Sequence, residues 1–390
     1  MKLINIEIPE AEGKRWICIE EKFISSEGRI SDITTSQSNA AAPTIEFENA
    51  IAFPGLINSH DHLEFNLFPK LGNKKYSDYV KWGEDIHTKN KNTIDEIIKI
   101  PISLRIEYGV YKNLLNGVTT VVHHGKNILK NDYLIDVFSG YNYLHSVRLE
   151  KHWRAKLNLK KNQLPFVIHI GEGTNSKSYS EIDKLIRWNI FDREIIGVHG
   201  ISMDPGQAKH FKALVWCPDS NDFLYGASAG IDELKEITTI LFGTDSNVSA
   251  DWNLWNQLRC ARDTGLLSDK ELFNAVTVNA AKVWKLNNTG TILPGSVADL
   301  VVAEKKSGNF INSFYALEPA DILILIKGGK IILFDSRLSN QLNKLEAELH
   351  GFTKIKINGR IKFVKGRLDE LSERIKPHSF QVQFPFEMLK

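Results

Sequence analysis

The chain has 390 residues, of which 42% are hydrophobic and 25% are charged, values typical of a globular protein and not of a disordered one. Its 49 lysine and arginine residues nearly balance its 47 aspartate and glutamate residues, which gives a net charge of +2. Nucleic-acid and membrane-surface binders usually carry a strong basic excess, so the composition predicts no nucleic-acid partner and no membrane partner. The three cysteines lie far apart without a CxxC pair, and by themselves they cannot form a disulfide framework or a cysteine zinc site.

Targeting and membrane-spanning segments are not visible in the sequence. The opening residues lack a basic region followed by an apolar core, so we expect no secretory signal. No apolar run approaches the roughly 18 residues of a spanning helix. The sequence therefore predicts a cytoplasmic protein.

The first fifty residues predict short strands. Apolar residues alternate or cluster at 16–20 and 44–47, and the segment 25–28 between them is rich in turn residues. The stretch 34–43 is small and polar, which is typical of a loop.

From residue 51 onward, short apolar runs alternate with amphipathic stretches. The runs lie at 52–57, 118–122, 143–147, 166–170, 195–198, 213–217 and 239–242. Several are continuously apolar, as expected of parallel strands that are covered on both faces. We place an eighth strand within 132–139. Helices are predicted at 101–116 and at 268–284, and the second opens with a capping-box pattern at Ser268 and Glu271.

This alternation favours a parallel sheet, and the stretch 53–309 has close to the roughly 250 residues of a (β/α)8 TIM barrel. Strand-like runs return at the end of the chain, at 298–303, 321–326 and 330–334, and 327–329 predicts a hairpin turn. We therefore predict an α/β fold with a TIM barrel at 53–309 and a small β-sandwich domain built from 1–52 and 310–376. The tail, 377–390, is aromatic and apolar without clear periodicity, and it could pack on the body of the chain or on a partner subunit of a homodimer.

Two histidines form the sharpest motif of the sequence. His60 and His62 end the segment 54–62, which reads PGLINSHDH. Residues two apart in a strand point to the same face, so both imidazoles can chelate one divalent metal at the mouth of a barrel. The pair alone is a weak signal, because short motifs of this kind are common in unrelated proteins.

Three further candidate side chains each follow an apolar run. They are His169, His199 and Asp245. Active sites of such barrels lie at the carboxyl ends of the strands, where these residues are expected. The joint pattern is hard to explain by coincidence, and it predicts a metal site.

At this point the sequence resembles the amidohydrolase superfamily, and in particular its mononuclear deaminase and chlorohydrolase branch, which includes cytosine, guanine and S-adenosylhomocysteine deaminases. The residues 169–172 resemble the His-x-x-Glu motif of the branch, and 216–221 resemble its Cys-Pro-x-Ser-Asn motif. Its closing signature resembles 277–281, 290–295 and 298–300. The resemblance runs from 53 to about 303, and the flanking β segments also fit the split sandwich of the family.

The resemblance implies one divalent metal, with Zn²⁺ as the first candidate and Fe²⁺ as the alternative. Its ligands would be His60, His62, His169 and Asp245. The metal would make a bound water nucleophilic near neutral pH. His199 would hydrogen-bond that nucleophile, Asp245 would accept the proton of the water, and Glu172 would shuttle protons to the substrate and to the leaving amine.

Two points stay open in the sequence. Glu172 is followed by Gly173, so a solvated turn residue is the structural alternative to the shuttle. Binuclear relatives bridge two metals with a carboxylated lysine after the fourth strand, and Glu150 and Lys151 lie close enough to leave such a bridge open.

Residues near the mouth of the predicted barrel are candidates for substrate binding. One of His123 and His124 should face the mouth by strand alternation, where it either contacts the substrate or hydrogen-bonds a neighbouring loop. Trp82 lies in a long excursion after the first strand and either covers a flat ring or anchors that excursion as a buried lid residue. Arg148 either binds an anionic group of the substrate or pairs internally with Glu150.

The expected function is hydrolysis of carbon–nitrogen bonds other than peptide bonds in a small molecule, by deamination of an amino-substituted heterocycle. Amide, lactam or halide hydrolysis in the same site is one alternative. A non-catalytic barrel scaffold is another, although such a scaffold would be expected to lose metal ligands.

Overall fold

The structure, a computed structural model, describes residues 1–9, 13–22, 25–35, 43–125, 132–159, 162–306, 308–344, 350–379 and 382–389. Its strands are β1 (Lys2–Glu7), β2 (Arg15–Lys22), β3 (Ser25–Thr34), β4 (Thr44–Pro54), β5 (Leu56–Asp61), β6 (Val118–His123), β7 (Asp136–Phe138), β8 (Asn142–Ser146), β9 (Phe166–Ile170), β10 (Ile195–His199), β11 (Ala213–Trp216), β12 (Thr239–Phe242), β13 (Leu300–Glu304), β14 (Ile322–Lys327), β15 (Lys330–Asp335), β16 (Phe352–Ile357), β17 (Arg360–Lys365) and β18 (Glu387–Met388).

The α-helices are α1 (Tyr79–Lys89), α2 (Lys91–Ile97), α3 (Ile102–Leu115), α4 (Trp153–Leu159), α5 (Ser176–Trp188), α6 (Pro205–Ala208), α7 (Pro218–Tyr225), α8 (Ile231–Leu234), α9 (Leu254–Asp263), α10 (Asp269–Ala275), α11 (Val278–Val283), α12 (Phe310–Tyr315), α13 (Ser339–Lys344) and α14 (Leu368–Ile375). Within the described ranges, every helix is too short or too polar to cross a lipid bilayer.

Eight parallel strands follow one another along the middle of the chain, in two sheets. One sheet has the order β5-β6-β7, and the other has the order β12-β11-β10-β9-β8. Strands β6 and β8 to β12 coincide within a residue with the predicted runs, and β7 lies inside the stretch 132–139. The first predicted run, 52–57, is instead divided between the end of β4 and the start of β5. Strands β6, β9, β10 and β11 are buried along their whole length, which explains why their sequences are apolar almost without interruption.

The end of β12 lies against β5, so the two parallel sheets meet at one side. The backbone N–H of Asp245 donates to the carbonyl oxygen of His60 at 3.0 Å. Gly243 makes this approach feasible, because a Cβ at that position would stand only 2.7 Å from Cβ of His60 and 2.8 Å from Cγ1 of Val215.

Both ends of the chain contribute to a separate ten-stranded sheet. Its order is β18-β16-β17-β15-β14-β13-β4-β1-β2-β3. The strand β13 lies within 53–309 but pairs with β4 and β14, and it therefore belongs to this sheet. The residues 25–28 were expected to turn, yet they begin β3, and the predicted hairpin at 327–329 is confirmed between β14 and β15. Of the predicted loop at 34–43, residues 36–42 lie outside the described ranges.

The predicted helices differ in outcome. The helix at 101–116 is confirmed as α3, but the stretch 268–284 forms two helices, α10 and α11. The backbone leaves helical geometry at Thr277, with φ −135° and ψ −101°, which interrupts the hydrogen-bond ladder. The capping box at the start of α10 is confirmed, since Ser268 and Glu271 each accept the backbone N–H of the other.

The described part of the tail packs on the body of the chain. Strand β18 pairs with β16, and the ring of Phe384 lies 5.5 Å from that of Tyr108 on α3. Phe386 is buried and stacks on Phe384. The tail therefore joins the ten-stranded sheet to the helix that flanks the parallel strands.

Candidate active site

Three imidazole nitrogens and a carboxylate converge at the carboxyl ends of the parallel strands. Nε2 of His169 lies 3.2 Å from Nε2 of His62 and 3.3 Å from Nε2 of His60. Oδ1 of Asp245 lies 3.9 Å from Nε2 of His60 and 3.9 Å from Nε2 of His62. The four side chains predicted as metal ligands are therefore brought together.

The spacing of these atoms fits a metal site. Ligand atoms that bind one zinc ion at 2.0–2.2 Å in tetrahedral geometry lie roughly 3.3–3.6 Å from one another. The distances between the imidazole nitrogens are close to that range, and Oδ1 of Asp245 needs only a small movement to reach it. His199 also lies near the cluster, with one ring nitrogen within 4.8 Å of ligand atoms on His60 and His169.

The protonation states also suit metal binding. Burial, followed by the neighbouring imidazoles, holds the pKa of His60 and the pKa of His169 well below the ordinary histidine range. Burial alone would raise the pKa of Asp245, but His62, His199 and nearby serine hydroxyls outweigh it, and the pKa of this carboxyl lies below its usual value. Neutral imidazoles and an ionised carboxylate are the forms that bind a divalent cation.

Neighbouring groups fix the orientation of the ligands. Nδ1 of His169 donates to the carbonyl oxygen of His145 at 2.9 Å, which leaves Nε2 turned toward the cluster. Oδ2 of Asp245 accepts from the hydroxyls of Ser220, at 2.7 Å, and Ser249, at 2.9 Å. The other carboxylate oxygen, Oδ1, is then the one that faces His60 and His62.

Two site residues have left-handed backbone conformations. The φ of His199 is 72° and that of Asp245 is 53°, both at the carboxyl ends of parallel strands. Non-glycine residues rarely adopt such angles, and they persist where the surrounding structure enforces them. The backbone is thus bent at the two positions where a side chain must turn back toward the cluster.

Glu172 is buried beside this cluster, so it is not a solvated turn residue. Its Oε1 accepts the hydroxyl of Tyr225 at 2.6 Å and lies 3.7 Å from Nε2 of His199. Burial raises the pKa of Glu172 above its ordinary value, although His199 and Tyr225 oppose that rise. Nδ1 of His199 donates to Oδ1 of Asn221 at 2.8 Å, which directs Nε2 toward Glu172. Sequence reasoning missed Tyr225, whereas Asn221 closes the motif at 216–221.

The two histidines after β6 face different surroundings. Nδ1 of His123 accepts the backbone N–H of Leu63 at 3.3 Å, so this ring contacts a neighbouring loop. The ring of His124 is completely buried, and its centre lies 4.4 Å from the ring of His169 and 4.7 Å from that of Tyr143. Among the described residues, neither ring nitrogen of His124 has a hydrogen-bond partner. Of the two histidines, His124 is therefore the one that borders the cluster of predicted metal ligands.

Trp82 lies on α1, in the excursion that follows the first parallel strand. Its Nε1 donates to the carbonyl oxygen of Leu71 at 2.9 Å, and its ring packs against the main hydrophobic core. In this structure the residue holds the excursion together.

Arg148 makes internal ion pairs, but not with Glu150. Its Nη1 lies 2.9 Å from Oδ2 of Asp78 and its Nε lies 2.9 Å from Oε2 of Glu181, while Glu150 pairs with Lys156. The guanidinium also stacks on the ring of Tyr79 at 4.3 Å. The expectation of a Glu150 partner was wrong because α1 and α5 bring more deeply buried carboxylates to the guanidinium.

The excursion also contacts the segment that carries Glu172. Asp78 and Gly173 form an isolated antiparallel bridge, and the backbone N–H of Tyr79 donates to the carbonyl oxygen of Glu172 at 3.4 Å. A side chain at position 173 would stand 2.5 Å from the carbonyl oxygen of Ser77, so only glycine permits this contact. The lid segment, which we define as 76–89, is thereby joined to the site.

Comparison with known proteins finds a matching family and relatives that cover most of the chain. The profile of the amidohydrolase family matches residues 154–332. A 5-methylthioadenosine/S-adenosylhomocysteine deaminase from Caldicellulosiruptor saccharolyticus is 24% identical over 377 residues, covering 80% of this chain and 88% of the relative.

Two solved structures are similar in fold. Helicobacter pylori aminofutalosine deaminase in complex with methylthio-coformycin matches with a TM-score of 0.64 and 18% identity, over 85% of this chain and 99% of that chain. An adenosine deaminase from Xanthomonas campestris with bound zinc matches with a TM-score of 0.66 and 15% identity, over 88% and 96%. Residues 154–332 thus match the amidohydrolase family, and over most of its length the chain is similar to proteins named as deaminases, which are hydrolytic enzymes.

Proposed function

We propose that the protein is a metal-dependent aminohydrolase of the mononuclear deaminase and chlorohydrolase branch, which hydrolyses the exocyclic carbon–nitrogen bond of an amino-substituted heterocycle. The observation that carries this proposal is the convergence of three imidazoles and Asp245 beside the buried carboxyl of Glu172. The similarity to proteins named as deaminases supports the same reaction class.

The fold that we propose around this site is a closed (β/α)8 barrel. The parallel order of β5 to β12 and the hydrogen bond between Asp245 and His60 support closure. The ten-stranded sheet would form the β-sandwich predicted from the chain ends, since one hydrophobic cluster joins its two halves, with Leu3 and Ile17 on one side and Ile324 on the other.

His60, His62, His169 and Asp245 would hold one divalent metal, with zinc as the first candidate because a similar structure contains it. A bound divalent metal supplies the Lewis acidity that makes a water nucleophilic near neutral pH. The orientation of His169 by the backbone carbonyl oxygen of His145 and of Asp245 by serine hydroxyls is the type of support that metal ligands receive in proteins.

The acid–base steps are assigned to three side chains. Asp245 accepts a proton from the attacking water, and His199, held by Asn221, hydrogen-bonds the oxygen as charge develops on it. Glu172 delivers its proton to a ring nitrogen, takes up the remaining proton of the attacking water, and passes it to the leaving amine. The proton that Asp245 accepted then restores the Glu172 carboxyl. Because burial raises the pKa of Glu172, its carboxyl holds a proton at a higher pH than an exposed glutamate would.

Substrate binding is assigned to residues that border the cluster and to residues that anchor the lid segment. His124 would hydrogen-bond the substrate, because its buried ring nitrogens have no other partner among the described residues. His123 would contribute by supporting the loop at Leu63. Arg148 and Trp82 would act on substrate binding through the lid segment that they anchor.

The test is a screen of zinc-loaded protein against amino-substituted purines and pyrimidines, cyclic amides and halogenated rings, with ammonia release as the first readout. Ammonia release from a ring amine is the expected result. His62→Ala should lose both the bound metal and the activity, because it removes one of four ligands. Turnover of cyclic amides or halides without ammonia release from any ring amine would overturn the deaminase assignment.

A further inference from the structure

A buried ion pair lies next to the cluster of proposed metal ligands. Nζ of Lys112, on α3, lies 3.0 Å from Oδ2 of Asp61, and their side chains are 2% and 0% exposed. Asp61, the last residue of β5, stands between His60 and His62, and successive residues of an extended segment point to opposite faces. The carboxylate therefore projects toward α3 while the two imidazoles project toward the site.

Asp61 is tied to three different segments. Its Oδ2 accepts Nδ2 of Asn113 at 2.7 Å, and its Oδ1 accepts Nδ2 of Asn66 at 2.9 Å. Its backbone carbonyl oxygen accepts the N–H of His124 at 2.8 Å. These bonds compensate a charge that would otherwise be costly to bury, and they fix the end of β5.

Lys112 extends the same network to the loop after β12. Its Nζ also donates to the hydroxyl of Thr244 at 3.0 Å, and that hydroxyl donates to the carbonyl oxygen of Asp245 at 2.9 Å. The backbone N–H of Asp245 in turn donates to the carbonyl oxygen of His60. One ammonium group thus connects the end of β5, where two proposed ligands lie, with the loop that bears a third.

We infer that Lys112 is a positioning residue that acts through Asp61 and Thr244 to hold the ends of β5 and β12 at the spacing required by the metal ligands. The inference rests on the proposed function, because it takes the cluster of histidines and Asp245 to bind a divalent cation. A site assembled before the metal arrives binds it more tightly, since less conformational freedom is lost on binding. Removal of residues that support metal ligands typically costs 10–100-fold in metal affinity.

The experiment measures the dissociation constant for Zn²⁺ by competition with a chelator, in the wild type and in three variants. Lys112→Met removes the ammonium and keeps the length of the side chain, and we expect it to weaken zinc binding by about 10–100-fold. Thr244→Val removes the hydroxyl but leaves the ion pair intact, and we expect it to weaken zinc binding several-fold. If Lys112→Met fails to fold, the zinc affinity of Thr244→Val alone decides the inference.

A matched control lies in the ten-stranded sheet. Lys362 and Asp335 form an equally buried ion pair, with side chains that are 0% and 2% exposed and atoms 2.7 Å apart. Lys362→Met should lower the melting temperature while leaving zinc affinity at the wild-type value. The visible absorption of Co²⁺-loaded protein, which reports the geometry of the ligands, should change in Lys112→Met and stay unchanged in Lys362→Met.

The possible results distinguish a failure of the inference from a failure of the proposed function. Wild-type zinc affinity in both Lys112→Met and Thr244→Val would overturn the role of Lys112 and leave the metal site standing. Equal losses of affinity in Lys112→Met and Lys362→Met would also overturn it, because the effect would then be general destabilisation. Failure of the wild type to bind zinc stoichiometrically would instead overturn the proposed function.

Discussion

The hydroxyl of Tyr225 donates a 2.6 Å hydrogen bond to Oε1 of Glu172, and both side chains are buried. A hydrogen bond of this kind stabilises the ionised carboxylate, whereas burial favours the protonated carboxyl. The protonation of Glu172 is therefore set by two opposing influences, and each can be changed by one substitution.

The first prediction concerns proton transfer. Glu172→Gln keeps the size of the side chain but removes its acid–base function, so turnover should fall by roughly 10²-fold or more while the metal content stays at the wild-type level. Steady-state kinetics and elemental analysis of the same sample check both statements. Turnover at the wild-type rate would remove Glu172 from the mechanism.

The second prediction concerns pH. Tyr225→Phe removes a hydrogen bond that lowers the pKa of Glu172, so the pKa should rise and the protonated carboxyl should persist to higher pH. Because the protonated form delivers the proton to the ring in the proposed mechanism, the alkaline limb of the kcat/KM profile should move to higher pH. Tyr108→Phe changes a buried tyrosine on α3 and serves as the control. A profile that moves equally in both variants, or in neither, would contradict the role of Tyr225.

The third prediction concerns Arg148. Lysine lacks the planar fork that reaches Asp78 and Glu181 together, so Arg148→Lys should loosen the lid segment. KM should then rise several-fold for neutral and anionic substrates alike, because the guanidinium is paired with Asp78 and Glu181 and the substitution acts through the lid segment. Arg154→Lys alters an arginine that stacks on Trp188 instead and should leave KM unchanged. A loss restricted to anionic substrates would show that Arg148 contacts the substrate directly.

The fourth prediction concerns stability and Glu181. Burial raises the pKa of Glu181 to about 7 despite its ion pair with Arg148. The folded state then binds a proton that the unfolded state has released, so this group makes the free energy of unfolding fall as pH rises from about 4 to about 7. Glu181→Gln cannot ionise and should flatten that decline. Urea unfolding of metal-free protein at pH 5 and pH 8 measures the difference, and the same decline in variant and wild type would contradict the prediction.

The strands and the cluster could be predicted because their signals are local. A parallel strand covered on both faces needs nearly continuous apolar residues, and runs such as 118–122 and 166–170 have them. Each side chain in the cluster follows such a run, so its place at the carboxyl edge of the sheet follows from the strand itself. The break at Thr277 could not be foreseen, because the apolar spacing of 268–284 continues through it.

The residues that support the cluster gave no such signal. Lys112 and Asn113 are polar residues of an amphipathic helix, and a sequence pattern assigns such residues to solvent until the position of Asp61 is known. Tyr225 lies 53 residues from Glu172, and Asp78 lies 70 residues from Arg148. Contacts over such separations depend on how the segments pack, which periodicity does not encode.

The left-handed backbone of His199 and Asp245 has a consequence for how this chain can change. Each such conformation costs about 1–3 kcal/mol in a residue with a side chain, and glycine would relieve most of that cost. Selection for folding alone would therefore favour glycine or asparagine at both positions. A descendant that no longer needed the proposed reaction could gain stability by losing these two side chains, and the fold would be inherited long after the chemistry had gone.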